Sequence, residues 1–405
     1  MLTEKSKKMI IKSFQKTIYR YDETPEVVTK DSFGVYLHVP FCFSKCAFCP
    51  FYKEIYNEKQ KVQYVSAIIK EIENSGLKGE ASWLYIGGGT PNTLAIQDLK
   101  QIINKIHENI TVSTMGIELL PTILDEKYIE GLNEIGFTKI SIGVESLSEI
   151  ILSESGRKIA KKEEIRRIIE KSHGFGIWVN IDLMIGLPGQ YPDSFIYDIE
   201  QVSLLNPDQI TIYPFMEIGK LAVKPGLDED EQFSLIEQAN RIMLKYGYER
   251  KGIWIFAKGD EVYDSSRDEL IEDYFGFGPA AFSTFGNWKV VNPELDIYLE
   301  NMENDVRKAL IASKDKASDD WRKFARMLYD LRGNIESDVS RFIKFFVKIL
   351  KIFGYIKSNK LTKKGIMFTH KITKTVVETL PYPLQNTQYI KNYQEYLEQK
   401  DRRKM

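Results

Sequence analysis

Cys42, Cys46 and Cys49 are the only cysteines in 405 residues, and they share one short run, His38-Val-Pro-Phe-Cys42-Phe-Ser-Lys-Cys46-Ala-Phe-Cys49. The spacing is C-x3-C-x2-C, with Phe48 just before the third cysteine. Three thiolates can hold three irons of a 4Fe–4S cluster and leave the fourth iron open for chemistry. The competing readings are a zinc site and a chance group of core cysteines. Structural zinc asks for four ligands. Of the histidines, His38, His107, His173 and His370, none continues the motif at finger-like spacing. His38 sits four residues before Cys42, and a packed or hydrogen-bonded role is its plainer reading. An odd, closely spaced set is a poor disulfide framework, so a reducing, cytoplasmic setting is expected.

A second group lies in Tyr85-Ile86-Gly87-Gly88-Gly89-Thr90-Pro91. Three glycines after a strand let the backbone approach a ligand closely. No Gly-Lys-Ser/Thr follows, so this is not a phosphate loop. A third group is Glu118, Glu145 and Asp182, each in or at the end of a predicted strand otherwise rich in Ile, Val and Leu. A carboxylate buried among such residues is costly unless it is used or paired. A structural ion pair is the bland alternative. Arg157, in the loop after the fourth strand, can neutralise one of them or hold a ligand carboxylate.

These side chains need a scaffold that brings strand ends together. Strands are predicted over 34–39, 83–87, 115–120, 139–144, 178–185 and 209–213. Helices are predicted over 58–75, 96–109, 125–135, 161–172, 193–204 and 229–246. Six β/α units in a row imply an α/β fold with a parallel sheet, either a barrel or a doubly wound sheet. In a barrel, the strand C-termini converge on one mouth. Residues 1–30 read as a polar leader with an amphipathic helix near 7–19, and no signal peptide is apparent. The aromatic set Trp254, Phe256, Tyr274, Phe275, Phe277, Phe282 and Trp288 can wall a large apolar substrate, but an ordinary core is the plainer reading. Residues 301–405 read as a helical, winged-helix-like unit of mixed charge, better suited to a lid or substrate dock than to DNA. Hydrophobic residues make up 43%, charged residues 28%, and the net charge is -1. That composition is globular and gives no global case for nucleic acid. No apolar run reaches the length of a membrane span.

Taken in order, the motifs resemble those of the radical SAM superfamily, and within it the oxygen-independent coproporphyrinogen III oxidase-like (coproporphyrinogen dehydrogenase-like) group. The matching segments are Tyr36-Leu-His-Val-Pro-Phe-Cys42, Cys46-x-Phe-Cys49, Gly87-Gly-Gly-Thr-Pro91, Ser141-Ile-Gly-Val-Glu145, Asp182-Leu-Met-Ile-Gly-Leu-Pro-Gly189 and Gly276-Phe-Gly278-Pro-Ala. The resemblance implies a partial (β/α)6 TIM-like barrel over residues 31–247. It also implies an accessory segment over 248–300 closing the active site, and a small C-terminal winged-helix-like domain over 301–405. It implies that Cys42, Cys46 and Cys49 ligate a 4Fe–4S cluster whose open iron takes S-adenosylmethionine. Tyr36 and Phe48 would pack near the adenine or the cluster. Gly88, Gly89 and Thr90 would meet the methionine amino group. Glu118, Glu145, Arg157 and Asp182 would line the cofactor pocket, with Asp182 toward a second S-adenosylmethionine if two bind. A flavodoxin or ferredoxin would be the reductant.

The departures narrow the expected reaction. Pro50-Phe51 stands where the porphyrinogen oxidases carry a further cysteine, and Glu145 stands where glutamine is usual. Lys139 replaces a family arginine. Asp268-Glu-Leu-Ile-Glu-Asp-Tyr274 lacks the heme motif of the related chaperones. The run Cys46-Ala-Phe-Cys-Pro-Phe-Tyr52 resembles anaerobic heme-ring-opening enzymes, and also class C methylases and cyclopropane-forming enzymes. The leading expectation is therefore methyl or methylene transfer to carbon with a second S-adenosylmethionine. Tetrapyrrole modification and non-catalytic heme chaperoning are the alternatives. The substrate would be a tetrapyrrole, a lipid or another natural product.

Overall fold

The computed structural model describes residues 18–26, 32–217, 223–262, 273–314, 316–379, 392 and 398. The helix expected near 7–19 lies outside them except at its last two positions. The strands are Arg20–Glu23 (β1), Phe33–Val39 (β2), Gly79–Gly88 (β3), Met115–Leu119 (β4), Lys139–Glu145 (β5), Trp178–Ile185 (β6), Gln209–Pro214 (β7), Ile255–Ala257 (β8), Tyr274–Phe277 (β9), Phe282–Phe285 (β10), Trp288–Val291 (β11) and Lys308–Ser313 (β12). Shorter pairings add to these. From β2 to β7 the neighbours run parallel and in chain order. Crossover helices Glu58–Asn74 (α1), Ile96–His107 (α2), Glu126–Ile135 (α3), Lys162–Gly174 (α4) and Pro192–Leu205 (α5) join them, and Glu229–Met243 (α6) follows β7.

Each strand alternates between a helix-facing and an inner residue. On β2, Val35, Leu37 and Val39 join the main apolar core, while Gly34, Tyr36 and His38 point the other way. The inner face is polar and aromatic. Helix starts are fixed by side chains: Asn57 accepts from the Gln60 amide at the head of α1, and Asp125 from the Tyr128 amide at the head of α3.

The sheet does not stop at β2. Strand β9 adds to its free edge in parallel, pairing Gly276 with Tyr36, and β10, β11, β12 and β1 extend the sheet by antiparallel pairing. The seam needs glycine. A Cβ on Gly278, at φ +93°, would stand 2.6 Å from the His38 carbonyl oxygen. Beyond β7, the antiparallel β8 covers the other edge. Of the aromatic set after β7, Trp254, Phe256, Phe275 and Phe277 pack into the main core, whereas Tyr274 packs with Trp83 and Tyr85 in a separate cluster that Tyr36 and Phe282 border.

Residues 316–379 form helix Lys316–Tyr329 (α7), helix Arg341–Ile352 (α8), a two-stranded hairpin of Ile356–Lys357 with Lys360–Leu361, and helix Lys363–Thr379 (α9). They enclose a separate core that includes Phe324, Leu328, Ile343, Val347, Leu350 and Phe368. This unit meets the barrel where Lys371 pairs with Asp230 (2.5 Å) and Trp254 Nε1 donates to His370 Nδ1 (3.1 Å).

Candidate functional site

The cysteines lie on the loop leaving β2. Its backbone is held by a short parallel pairing of Phe41–Cys42 with Glu54–Ile55, and by the Glu54 amide donating to the Pro40 carbonyl (2.7 Å). Lys53 Nζ donates to the Cys49 carbonyl (2.7 Å). A short helix, Glu149–Glu154, and its Gly156 turn clamp the loop from the other side. The Ala47 amide donates to the Ser155 carbonyl (2.9 Å), and Ser44 Oγ to the Gly156 carbonyl (3.2 Å). Phe48 is buried against Ile151, Leu152, Leu187 and Phe215, with Cys46 and Cys49 at the border of that cluster. The sequence offered no helix signal here, because six residues carry too little periodicity to read.

All three thiols are free. Cys42 Sγ lies 3.3 Å from Thr90 Oγ1, and Arg157 Nη1 lies 3.9 Å from Cys46 Sγ. Burial pushes both thiols up; the Thr90 hydrogen bond counters this at Cys42, and the Arg157 charge counters it at Cys46. Among the described residues no three His, Cys, Asp or Glu side chains converge as ligands of one metal ion. Thiolates that each take a different iron need not converge on one point. Soft, free thiols on one clamped loop beside a guanidinium suit a cluster of net negative charge.

The carboxylates gather on the inner face beside this loop. Arg157 reaches Glu145 Oε1 at 3.4 Å and also donates to the Gly143 carbonyl. Burial raises the Glu145 carboxyl, and Arg157 partly offsets it. Glu145 is itself in the left-handed region, φ +65°, at a register shift between β5 and β6. Tyr85 Oη donates to Glu118 Oε1 (2.7 Å), and a Cβ on Gly87 would meet the Glu118 carboxylate at 3.1 Å. Asp182 is buried and its carboxyl is held well above the usual range, by burial first, then by the charges of Glu145 and Glu118 against bonds from Ser141 and Asn180.

Asp182 ends a ladder that sequence reasoning missed. Gln209 Nε2 donates to Thr211 Oγ1 (3.0 Å), which donates to Asn180 Oδ1 (3.0 Å). Asn180 Nδ2 donates to Ser141 Oγ (2.7 Å) and Asp182 Oδ1 (2.7 Å), and Ser141 Oγ donates to Asp182 Oδ2 (2.5 Å). The alternation of inner positions on adjacent strands was the signal available.

Tyr36 stands lower on the inner face, 3.1 Å from His38 Nδ1 and stacked over Tyr85. His38 is buried, its Nε2 lies 3.3 Å from the Tyr52 carbonyl, and burial lowers its pKa to about 4. Its ring fills the space a Gly88 side chain would take, 2.6 Å from the Cβ position. A Gly89 Cβ would strike the Phe41 carbonyl at 2.7 Å, and the Gly89 amide donates to the Val39 carbonyl (2.7 Å). So Gly88 and Gly89 press the loop onto the end of β2, while Gly87 leaves room over Glu118.

Residues 36–202 match the Radical SAM superfamily. The chain is 27% identical over 384 residues to the heme chaperone HemW of Buchnera aphidicola subsp. Schizaphis graminum, covering 85% of this chain and 98% of the relative. It is 25% identical to the oxygen-independent coproporphyrinogen III oxidase of Escherichia coli, covering 89% of this chain and 85% of the relative. The solved structure of coproporphyrinogen III oxidase (HemN) from Escherichia coli, a radical SAM enzyme, shares the fold, with TM-score 0.71 at 20% identity over 87% of this chain and 91% of that one.

Proposed function

Residues 36–202 being a radical SAM domain, we propose that this chain is an enzyme that removes a hydrogen atom from a substrate carbon, with a tetrapyrrole as its substrate class. The observation that carries the enzyme reading is the arrangement of three free thiols and Arg157 beside Glu118, Glu145 and Asp182 on one polar inner face. The cofactors of the family are a 4Fe–4S cluster and S-adenosylmethionine, which together supply one-electron cleavage of the sulfonium to methionine and a 5′-deoxyadenosyl radical. The electron comes from a low-potential donor of the flavodoxin or ferredoxin class.

The chain's own residues fit that work. Cys42, Cys46 and Cys49 would hold the cluster. Arg157, already shared between Glu145 and Cys46, would take a ligand carboxylate. Glu145 and Thr90 offer acceptors for an amino group. Glu118 and Asp182 offer oriented acceptors for hydroxyl groups. Tyr36, Tyr85 and Trp83 give the space below an aromatic floor.

The tetrapyrrole class draws on the names of the relatives. The same names give no support to methyl or methylene transfer. The length of the match to HemW favours a second reading, a heme-binding chaperone. Against it stands the stretch 268–274, which lacks the chaperones' heme motif.

Anaerobically reconstituted protein, reduced with dithionite and given S-adenosylmethionine, is expected to release 5′-deoxyadenosine, detected by chromatography. Cys46→Ala should abolish both that product and the visible iron–thiolate absorption while the far-ultraviolet circular dichroism stays unchanged. Heme binding with no 5′-deoxyadenosine under any substrate would replace the enzyme reading by the chaperone one.

A further inference from the structure

Helix α8 carries three stripes at helical spacing. Ile343, Val347 and Leu350 are buried in the C-terminal unit. A second apolar stripe, Phe342, Phe345, Ile349, Ile352 and Phe353, runs beside it at i, i+3, i+7 and i+10 and faces outward, while Phe346 packs inward on Phe324. Phe345 is 62% exposed, Ile352 70% and Phe353 62%. The third stripe is basic: Arg341, Lys344, Lys348 and Lys351, all exposed. One apolar face is enough to seat a helix on its own domain, so the second is not explained by folding.

The surrounding charge is one-sided. Residues 339–377 hold ten lysines and arginines and no aspartate or glutamate, in a chain whose net charge is -1. Lys357 and Lys360 lie on the hairpin, and Lys363 and Lys364 open α9. The charge of this part of the C-terminal unit is therefore strongly basic, where the sequence reading took the unit as mixed.

We infer that the exposed aromatic stripe of α8, with the basic residues beside it, docks the protein on an anionic phospholipid bilayer. Phenylalanine and isoleucine enter the boundary between headgroups and acyl chains, and the lysines meet the phosphates. The buried stripe presents the helix already folded. A nucleic acid would use the cations but leave Phe345, Ile352 and Phe353 in water. A second copy would bring two runs of like charge together. Docking of this kind needs no spanning segment, and among the described residues no helix is long and apolar enough to cross a membrane. The inference does not depend on the reaction proposed above.

The test is co-sedimentation of the full chain with vesicles of phosphatidylcholine containing phosphatidylglycerol, and with phosphatidylcholine alone. Binding is expected to the anionic vesicles, and to weaken about tenfold or more on neutral vesicles or in high salt. Lys348→Glu with Lys351→Glu should reduce binding by roughly tenfold or more. Phe345→Ser with Phe353→Ser should do the same at unchanged net charge. Circular dichroism and thermal melting identify any variant that fails to fold, and the charge pair, whose side chains extend into solvent, tests the inference by itself. The inference is overturned if no anionic vesicle is bound, or if folded variants of both pairs bind as well as the parent. It is equally overturned if the protein binds duplex DNA in preference to vesicles, or if gel filtration shows a dimer that Phe345→Ser disperses while vesicles are not bound.

Discussion

Asp182 shows how a side chain acquires its setting from neighbours far away in sequence. Its two oxygens take one bond each, from Ser141 and Asn180, and Asn180 is itself fixed by Thr211. The donors point up the ladder toward the carboxyl, which orients both of its acceptor oxygens. Removing Asn180 releases Asp182 Oδ1, while Ser141 still holds Oδ2, and leaves Ser141 with one bond fewer. Asn180→Ala is therefore expected to raise the KM for S-adenosylmethionine about tenfold, in line with a lost bond to a charged group, with iron content unchanged. A kcat loss at constant KM would show that the ladder does something other than orient the ligand. The carboxylates were legible in the sequence as charges within Ile-, Val- and Leu-rich strands. Ser141 and Thr211 were not, because their partners are set by register between strands 30 to 40 residues apart, and a hydroxyl in a strand has many harmless explanations.

At the scale of the element, the inner face depends on missing side chains. Gly34 lies under Trp83, and a Cβ there would stand 2.0 Å from the indole ring. The indole Nε1 is buried with no hydrogen-bond partner among the described residues. Gly34→Ala is expected to lower unfolding free energy by roughly 1–3 kcal/mol, the usual cost of overpacking. Adding Trp83→Phe should recover most of it, since the smaller ring gives room and removes the lone donor. Denaturant titration of the two variants checks this, and equal losses in both would refute the steric account. The six parallel strands were readable to within a few residues because each is a β-branched run followed by an amphipathic helix. Strand β9 was not, because its parallel partner β2 lies some 240 residues earlier and four residues give no period. The triple glycine was legible as a close approach, but not what approaches: His38 at Gly88 and the β2 backbone at Gly89.

At the scale of the molecule, the contact between the barrel and residues 316–379 is pH-sensitive. His370 accepts from Trp254, and its pKa is lowered to about 3, by burial first and then by Lys374, Arg250 and Lys371, against a small opposing effect of Asp230. A histidine whose native pKa is depressed adds stability above its unfolded value of 6.5, and that stability drains away as pH falls toward the native value. The loss at pH 5 is about 2 kcal/mol for this residue. His38, lowered to about 4, acts in the same direction. His370→Asn keeps an acceptor for Trp254 and cannot charge, so its stability should fall less between pH 7 and pH 5 than that of the parent. Parallel curves for the two proteins would remove His370 from the account. The composition could not show this contact, since a lone histidine on a helix carries no mark of what it packs against. The separate core under α8 was readable from its apolar run, and the second, outward stripe was hidden within that same run.

The left-handed backbone at Glu145 has a further consequence. A glutamate there costs roughly 1–2 kcal/mol that glycine would not. Glu145→Gly would relieve that strain but leave the buried Arg157 without its carboxylate, a larger loss than the strain relieved. The pair thus holds the unfavourable turn in place, and the turn in return aims the carboxylate at the guanidinium.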